Sequence, residues 1–264
     1  MSAADATVDV AAGKPLAAFR VYDKAADPGV FEHYAQLRTH QTLAFSRAQR
    51  AKWAASWGAR PGGRMTVREA LAKCDSFVDR SDPDTSLPNS LHMLQAAEAA
   101  RAAGREDWFI LAALVHDIGK LMYLWGSPAD GQGGRADEPQ WALGGDTFVV
   151  GEPLPACAVY PELNALNPDE KDAAVAAGIY APRAGVMQLE YSFGHDEYAY
   201  MWALHNKVKM PLAGLAILRL HSCYPWHTGG AYAHLEAEGD EALKGAARRV
   251  RAVQARAWPA RGAL

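Results

Sequence analysis

Nine histidines are spread over 264 residues: His33, His40, His92, His116, His195, His205, His221, His227 and His234. Four of them, His92, His116, His195 and His221, fall on or at the ends of stretches whose apolar spacing predicts helices. Two of these are followed directly by aspartate, as His116-Asp117 and His195-Asp196. A lone histidine on an apolar helix is ordinarily a core residue bonded to a backbone carbonyl. The stretch LAALVHDIGKLM, residues 111–122, demands more, because it sets a histidine, an aspartate and a lysine among Leu, Val and Ile. An unpaired buried charge costs several kcal/mol. Three such groups within five residues need partners, and a bound cation is the simplest. Neighbours on a helix point about 100° apart, so His116 and Asp117 cannot both aim at one ion. A carboxylate bridging two metals, with the histidine on one of them, resolves this. Lys120 follows His116 by four residues and Asp117 by three, which places it over the same face. There it can hold a substrate oxygen or move a proton. Imidazole and carboxylate without thiolate suit iron or another first-row metal better than a structural zinc.

The elements that must position these groups read as helices. FEHYAQLRTHQTLAFSRAQRAKW, residues 31–53, contains no Gly or Pro and predicts one helix. Thr66 with Glu69 three residues on forms a capping-box pattern that starts another, running through Cys74 and Phe77 to a break at Ser81-Asp82-Pro83-Asp84. Pro88-Asn89-Ser90 starts a helix through Ala100, and Glu106-Asp107 precedes a near-continuous apolar run that predicts a fully buried helix. Residues 126–162, rich in Gly and Pro, predict a long loop, which in a compact domain is often functional. Helical patterning returns at 168–176, weakly at 186–191, and strongly at 195–206 and 211–221. The expectation is an all-α single domain over 16–264 behind a flexible tail at 1–15, with a divergent C-terminal stretch at 240–264.

Composition excludes several classes. With 50% hydrophobic and 22% charged residues the chain is neither disordered nor fibrous, and a net charge of −3 offers no footprint for nucleic acid. No run of about 18 apolar residues predicts a membrane span, and the N-terminus lacks the basic flank and apolar core of a signal peptide. Three scattered cysteines, Cys74, Cys157 and Cys223, have neither pairing parity nor metal spacing. These features predict a soluble, intracellular globular protein, expected in the cytoplasm.

Ser90-Leu91-His92 followed by His116-Asp117 resembles the HD-domain superfamily, helical proteins carrying one or two metals. Five blocks narrow the resemblance to the inositol oxygenase family: residues 81–98, 107–120, 138–151, 192–200 and 220–229. Within them stand PNSxH, HDxGK, PQWA…GDTF, GHDEY and HSxYPWHTG, and FRVY, THQT and MTVREAL at 19–22, 39–42 and 65–71 agree. The resemblance runs from about Phe19 to Leu235. It implies an HD-like helical bundle with two irons in a mixed-valent Fe(II)/Fe(III) pair. His92 and His116 would bind one, Asp117 would bridge both, and His195 and His221 would bind the other. It also implies that Arg20, Asp79, Arg80, Ser81, Lys120, Gly145, Asp146, His221 and Ser222 contact substrate. The implied reaction is ring cleavage of myo-inositol, or a close cyclitol, with O2 to D-glucuronate, with Asp117 and Lys120 in catalytic roles. A polyol needs many donors and acceptors, and Asp79, Ser81, Asp146 and Ser222 supply them.

The sequence departs from that pattern in two places. An aspartate expected in a late helix falls on Gln254. The amide or a water could replace it; a re-registered acid among Glu236, Glu238, Asp240 and Glu241 could; or the Ala/Arg-rich end is not the natural one. Residues 129–137, ADGQGGRAD, form a polar insertion that reads as a tolerated surface loop, with a changed lid as the sharper alternative. Two other functions stay open: a metal-dependent phosphohydrolase of HD type, and an impaired relative that still binds a polyol. Elsewhere, His40 and His227 are expected to support the shell around the site, and Asp196 and Glu197 to orient imidazoles. Trp141, Trp226 and Tyr224 read as packing, and the bases between Lys244 and Arg256 as a solvated helix face.

Overall fold

A computed structural model describes residues 8–9, 14–15, 28–57, 63–76, 88–135 and 138–257, with side chains over 28–57, 63–76, 88–135 and 138–253. The expected break at 81–84 and most of the tail lie outside them. The architecture is all-α. In chain order the helices are α1 (Pro28–His40), α2 (Leu43–Ser56), α3 (Val67–Lys73), α4 (Asn89–Ala102) and α5 (Asp107–Val115). They continue with α6 (Ala173–Ala176), α7 (His195–His205), α8 (Leu212–Leu220), α9 (Tyr224–His227) and α10 (Asp240–Ala257). Extended pairing in named strands is confined, among the described residues, to Val8–Asp9 against Lys14–Pro15. None of the described helices is long and apolar enough to cross a membrane.

The bundle closes by packing α4 on α5, α7 on α8, and α10 across both α4 and α8. α10 carries the reason in its sequence. Leu243, Ala246, Ala247, Val250 and Val253 recur at helical spacing and are all buried. Most of them meet Ala96, Ala100, Phe109, Ala112 and Ile217 in one cluster. Small residues at these positions let α10 lie close to its neighbours. A second cluster joins Trp53, Met93, Val115, Ile118, Leu121, Ala199 and Leu218 beneath the histidines.

Local signals hold where they are strongest. Thr66 Oγ1 accepts from the Glu69 amide, and Glu69 reaches back to the Thr66 amide at 2.7 Å. That helix nevertheless ends at Lys73 and turns 3-10 over Cys74–Ser76, while Phe77 lies outside the described residues.

Two expected helices are broken. The run over 31–53 splits at Gln41-Thr42. Buried Gln41 donates to the Phe193 carbonyl at 2.7 Å and accepts its amide at 2.8 Å, and Thr42 caps α2 through the Phe45 amide. The apolar run from Asp107 leaves α-geometry at His116-Asp117, and Ile118–Leu124 continue as 3-10 helix. Its burial is one-sided as well, since Leu111 is exposed.

The 126–162 segment is mostly irregular, with a short 3-10 turn at Pro128–Asp130 and the start of a second at Pro161–Leu166. Within its insertion, residues 131–133 are not a loose surface loop. Gly131, at φ +67°, lies flat on Trp141, where a Cβ would meet the ring at 2.3 Å. Gln132 is fully buried and donates to Gln49 on α2 at 3.0 Å. The glycines bring backbone into contact where a side chain could not fit.

Candidate metal centre

Four segments deliver one imidazole each to the interior. His92 comes from the first turn of α4, His116 from the C-cap of α5, His195 from the start of α7 and His221 from the C-cap of α8. They converge on the carboxylate of Asp117. Its Oδ2 lies 3.4 Å from His116 Nε2 and 3.8 Å from His92 Nε2, and its Oδ1 lies 3.2 Å from His195 Nε2 and 3.3 Å from His221 Nε2. Each carboxylate oxygen therefore faces its own pair of imidazoles. Two groups of potential metal donors result, His92–His116–Asp117 and Asp117–His195–His221, with Asp117 common to both. The helix end at Asp117, with φ −94° and ψ 5°, aims this residue differently from a continuing α-turn.

The backbone decides which nitrogen faces inward. Nδ1 of His116 lies 2.8 Å from the Ala113 carbonyl, that of His195 2.6 Å from Leu143 O, and that of His221 3.1 Å from Ile217 O. A carbonyl only accepts, so each Nδ1 carries the hydrogen and, in the neutral ring, each Nε2 presents a bare lone pair. His195 and His221 thus set lone pairs against each other at 3.2 Å, beside a carboxylate. That arrangement is repulsive without a positive charge at its centre, and carbonyl-anchored imidazoles are the usual support of metal ligands. The donor set fits a pair of first-row divalent or trivalent metal ions.

Burial, the largest influence on Asp117, opposes its charge, yet His116 and Lys120 outweigh it and hold the carboxyl well below its ordinary range. Burial also opposes charging His195, but Asp196 and Asp117 overcome it and raise its pKa to about 10, so without metal a proton on Nε2 supplies the positive charge that a metal ion would supply there. His92 goes the other way, pushed down to about 3 by burial and then by His116. Lys120, almost fully buried, places Nζ 2.9 Å from Asp117 Oδ2.

Asp196 ties the surrounding chain to the histidines. Its Oδ1 lies 2.8 Å from His195 Nε2 and 3.5 Å from His221 Nδ1 and accepts from Ser222 Oγ at 3.2 Å. Its Oδ2 accepts the Ser222 amide at 3.0 Å and the Thr147 hydroxyl at 3.3 Å. Ser222 and Thr147 therefore stand beside the centre. Gly145, at φ +101° and packed toward Leu37 and Tyr34, and Asp146, buried and accepting the Val159 amide, precede Thr147 in the chain. Arg20, Asp79, Arg80 and Ser81 lie outside the described residues. Glu197 touches no imidazole in the described contacts, and its partners are Arg50 and Arg219.

His40 also departs from expectation, stacking on Trp141 at the surface with ring centroids 4.5 Å apart. His227 is the supporting histidine: its Nε2 donates to the His221 carbonyl at 2.9 Å. The bases of α10 do not simply face solvent. Lys244 pairs with Glu236, Arg248 donates to the His227 carbonyl, and Arg251 donates to Thr228 Oγ1 at 2.9 Å. Glu236 is further engaged by the Trp226 indole, and Asp240 accepts the Val186 and Ala237 amides. Neither acid has moved toward Asp117. The backbone of α10 includes Gln254, whose side chain lies outside the described residues.

The carbonyls of Ala113, Leu143 and Ile217 carry no side-chain signature, so the sequence offered no sign of them. The Asp196 network had one signal, the acid adjoining His195.

A helical bundle with four imidazoles around a shared, buried carboxylate defines a class, helical proteins with a His/Asp donor set able to hold metal. A family model described as Myo-inositol oxygenase matches residues 27–254. "Inositol oxygenase" of Mus musculus is 40% identical over 215 residues, covering 80% of this chain and 70% of the relative. That of Homo sapiens is 39% identical over 241 residues, covering 89% and 79%. That of Dictyostelium discoideum is 33% identical over 235 residues, covering 87% and 76%. The chain belongs to the myo-inositol oxygenase family and is an enzyme of that type.

Proposed function

We propose that the protein cleaves the ring of myo-inositol, or a close cyclitol, with O2 to give D-glucuronate, using two irons held by His92, His116, Asp117, His195 and His221. The observation that carries this reading is the division of Asp117: one oxygen faces His92 and His116, the other His195 and His221. When bound, the irons supply Lewis acidity and redox capacity, so that one O2 takes four electrons, the C1–C6 bond opens and water forms.

The chain's own groups have separate tasks. The carbonyl-anchored imidazoles hold their Nε2 atoms inward before any ligand arrives, which spares the cost of ordering them. Lys120, next to Asp117, holds a substrate oxygen or carries a proton at the centre's edge. Ser222 and the Gly145-Asp146 turn, brought up by Asp196 and Thr147, offer donors and acceptors to a polyol. Arg20 and the Asp79–Ser81 segment complete the substrate contacts in this reading. The enzyme acts as a cytoplasmic monomer.

The test is iron content together with oxygen uptake and D-glucuronate formation in the presence of myo-inositol. His116→Ala should lose iron and turnover together. Lys120→Ala should keep iron and lose most turnover. Full activity of His116→Ala, or phosphate release from a phosphoester in place of oxygen uptake, overturns the proposal.

A further inference from the structure

The two imidazoles of the second donor group sit on helices that no shared local sequence holds together. His195 opens α7 and His221 closes α8. Two residues inward from each stands a buried partner, Glu197 on α7 and Arg219 on α8. The pairs step in opposite directions along the two helices, as antiparallel packing requires. Arg219 grips Glu197 with two prongs, Nε to Oε2 at 2.7 Å and Nη2 to Oε1 at 3.3 Å. Its remaining donors reach the Met187 carbonyl at 2.7 Å and the Leu189 carbonyl at 2.9 Å. The guanidinium lies between the rings of Tyr191 and Tyr200, at 4.9 and 4.6 Å from their centroids. Arg50 of α2 adds a second cation to Glu197 from the outside.

Such a pair is poorly explained by stability. Buried ion pairs lose about as much by desolvation as they gain by attraction, and apolar replacements are often neutral or better. What a fork with four placed hydrogen bonds does supply is register. A slip of one residue between α7 and α8 is about 1.5 Å along the axis and about 100° around it. Metal ligation tolerates about 0.2 Å, and the two Nε2 atoms now stand 3.2 Å apart.

We infer that the Glu197–Arg219 pair is a positioning device that sets His195 and His221 on a common metal, and so builds one of the two sites selectively. This rests on the metal-centre reading above. The other group draws His92 and His116 from α4 and α5, which the pair does not touch.

The test uses Mn2+ binding to the metal-free full-length chain, counted by loss of the free-ion electron paramagnetic resonance signal, alongside its cooperative thermal melt. Two variants serve: Glu197→Gln, which keeps the shape and an acceptor, and the apolar double replacement Glu197→Leu with Arg219→Met. Wild type should take up two equivalents. At least one variant should keep a cooperative melt and one equivalent at wild-type affinity, while the other equivalent weakens at least tenfold. Two unchanged equivalents in both variants overturn the inference. So does loss of both equivalents in step with loss of the melt, which makes the pair a general determinant of folding. A wild-type chain that binds no divalent metal sinks the metal-centre reading itself, a failure visible before any variant is made.

Discussion

His227 offers a prediction that needs no metal and no substrate. Its ring is fully buried, with Nε2 donating to the His221 carbonyl and Nδ1 facing the Thr228 hydroxyl at 2.9 Å. Arg251 donates to that same hydroxyl, which leaves the hydroxyl hydrogen for Nδ1. A proton on Nδ1 would turn that hydroxyl hydrogen away and set a second buried positive charge beside Arg251. Burial first, and then Arg251 and the neighbouring charges, push its pKa down from the ordinary 6.5 to about 4. The unfolded chain therefore takes up a proton, as pH falls, that the folded chain refuses. The contribution is fully present above pH 6.5 and is lost between there and about 4. For these two values the linkage integral from pH 7 to pH 5 is about 2 kcal/mol. At this chain length that lowers the melting temperature by about 4–8 °C. His227→Gln retains a donor and an acceptor but cannot titrate. Its drop in melting temperature from pH 7 to pH 5, measured on metal-free protein, should be smaller than that of wild type by this amount. Comparing the two drops cancels the other histidines. Equal drops would refute the assignment of a buried, neutral His227 clamped beneath His221.

Three further outcomes follow from particular contacts. A Cβ on Gly119 would lie 1.9 Å from the His195 carbonyl oxygen, so Gly119→Ala should cost about 1–3 kcal/mol or more and reduce bound metal. Unchanged denaturant midpoint and metal content would show that the Asp117 and His195 segments do not meet there. Thr66→Ala removes half of a reciprocal cap and should cost about 1 kcal/mol in denaturant titration, with metal content unaltered; a metal loss would tie α3 to the centre. Gln254→Asp places a carboxylate where the family pattern reads aspartate, and the iron-to-protein ratio should rise. A fall or no change would remove that position from the metal site.

How much of this could be read in advance depends on the range of the interaction. The capping box at Thr66 and Glu69 and the apolar stripe of α10 involve residues three or four apart. So does the start of α4 after Pro88. Their geometry is set by chain neighbours, and the residue types alone announce it. The chemistry of the centre was legible for a related reason: His, Asp and Lys buried within five residues have few physical explanations. The breaks were not legible. Gln41 interrupts a continuous helical pattern because it pairs with the backbone of Phe193, 152 positions away.

The amino-acid sequence on its own determined an all-α chain and the set of side chains able to hold metal, because propensity, periodicity and donor type are properties of residues and their near neighbours. Tertiary structure alone decided the distances at which each Asp117 oxygen faces its own pair of imidazoles. It also decided that carbonyls of Ala113, Leu143 and Ile217 turn three of those rings inward. Every residue owns a carbonyl and no side chain advertises where it will point. Only packing of the helices and of the chain before α7 brings these acceptors within reach of the rings.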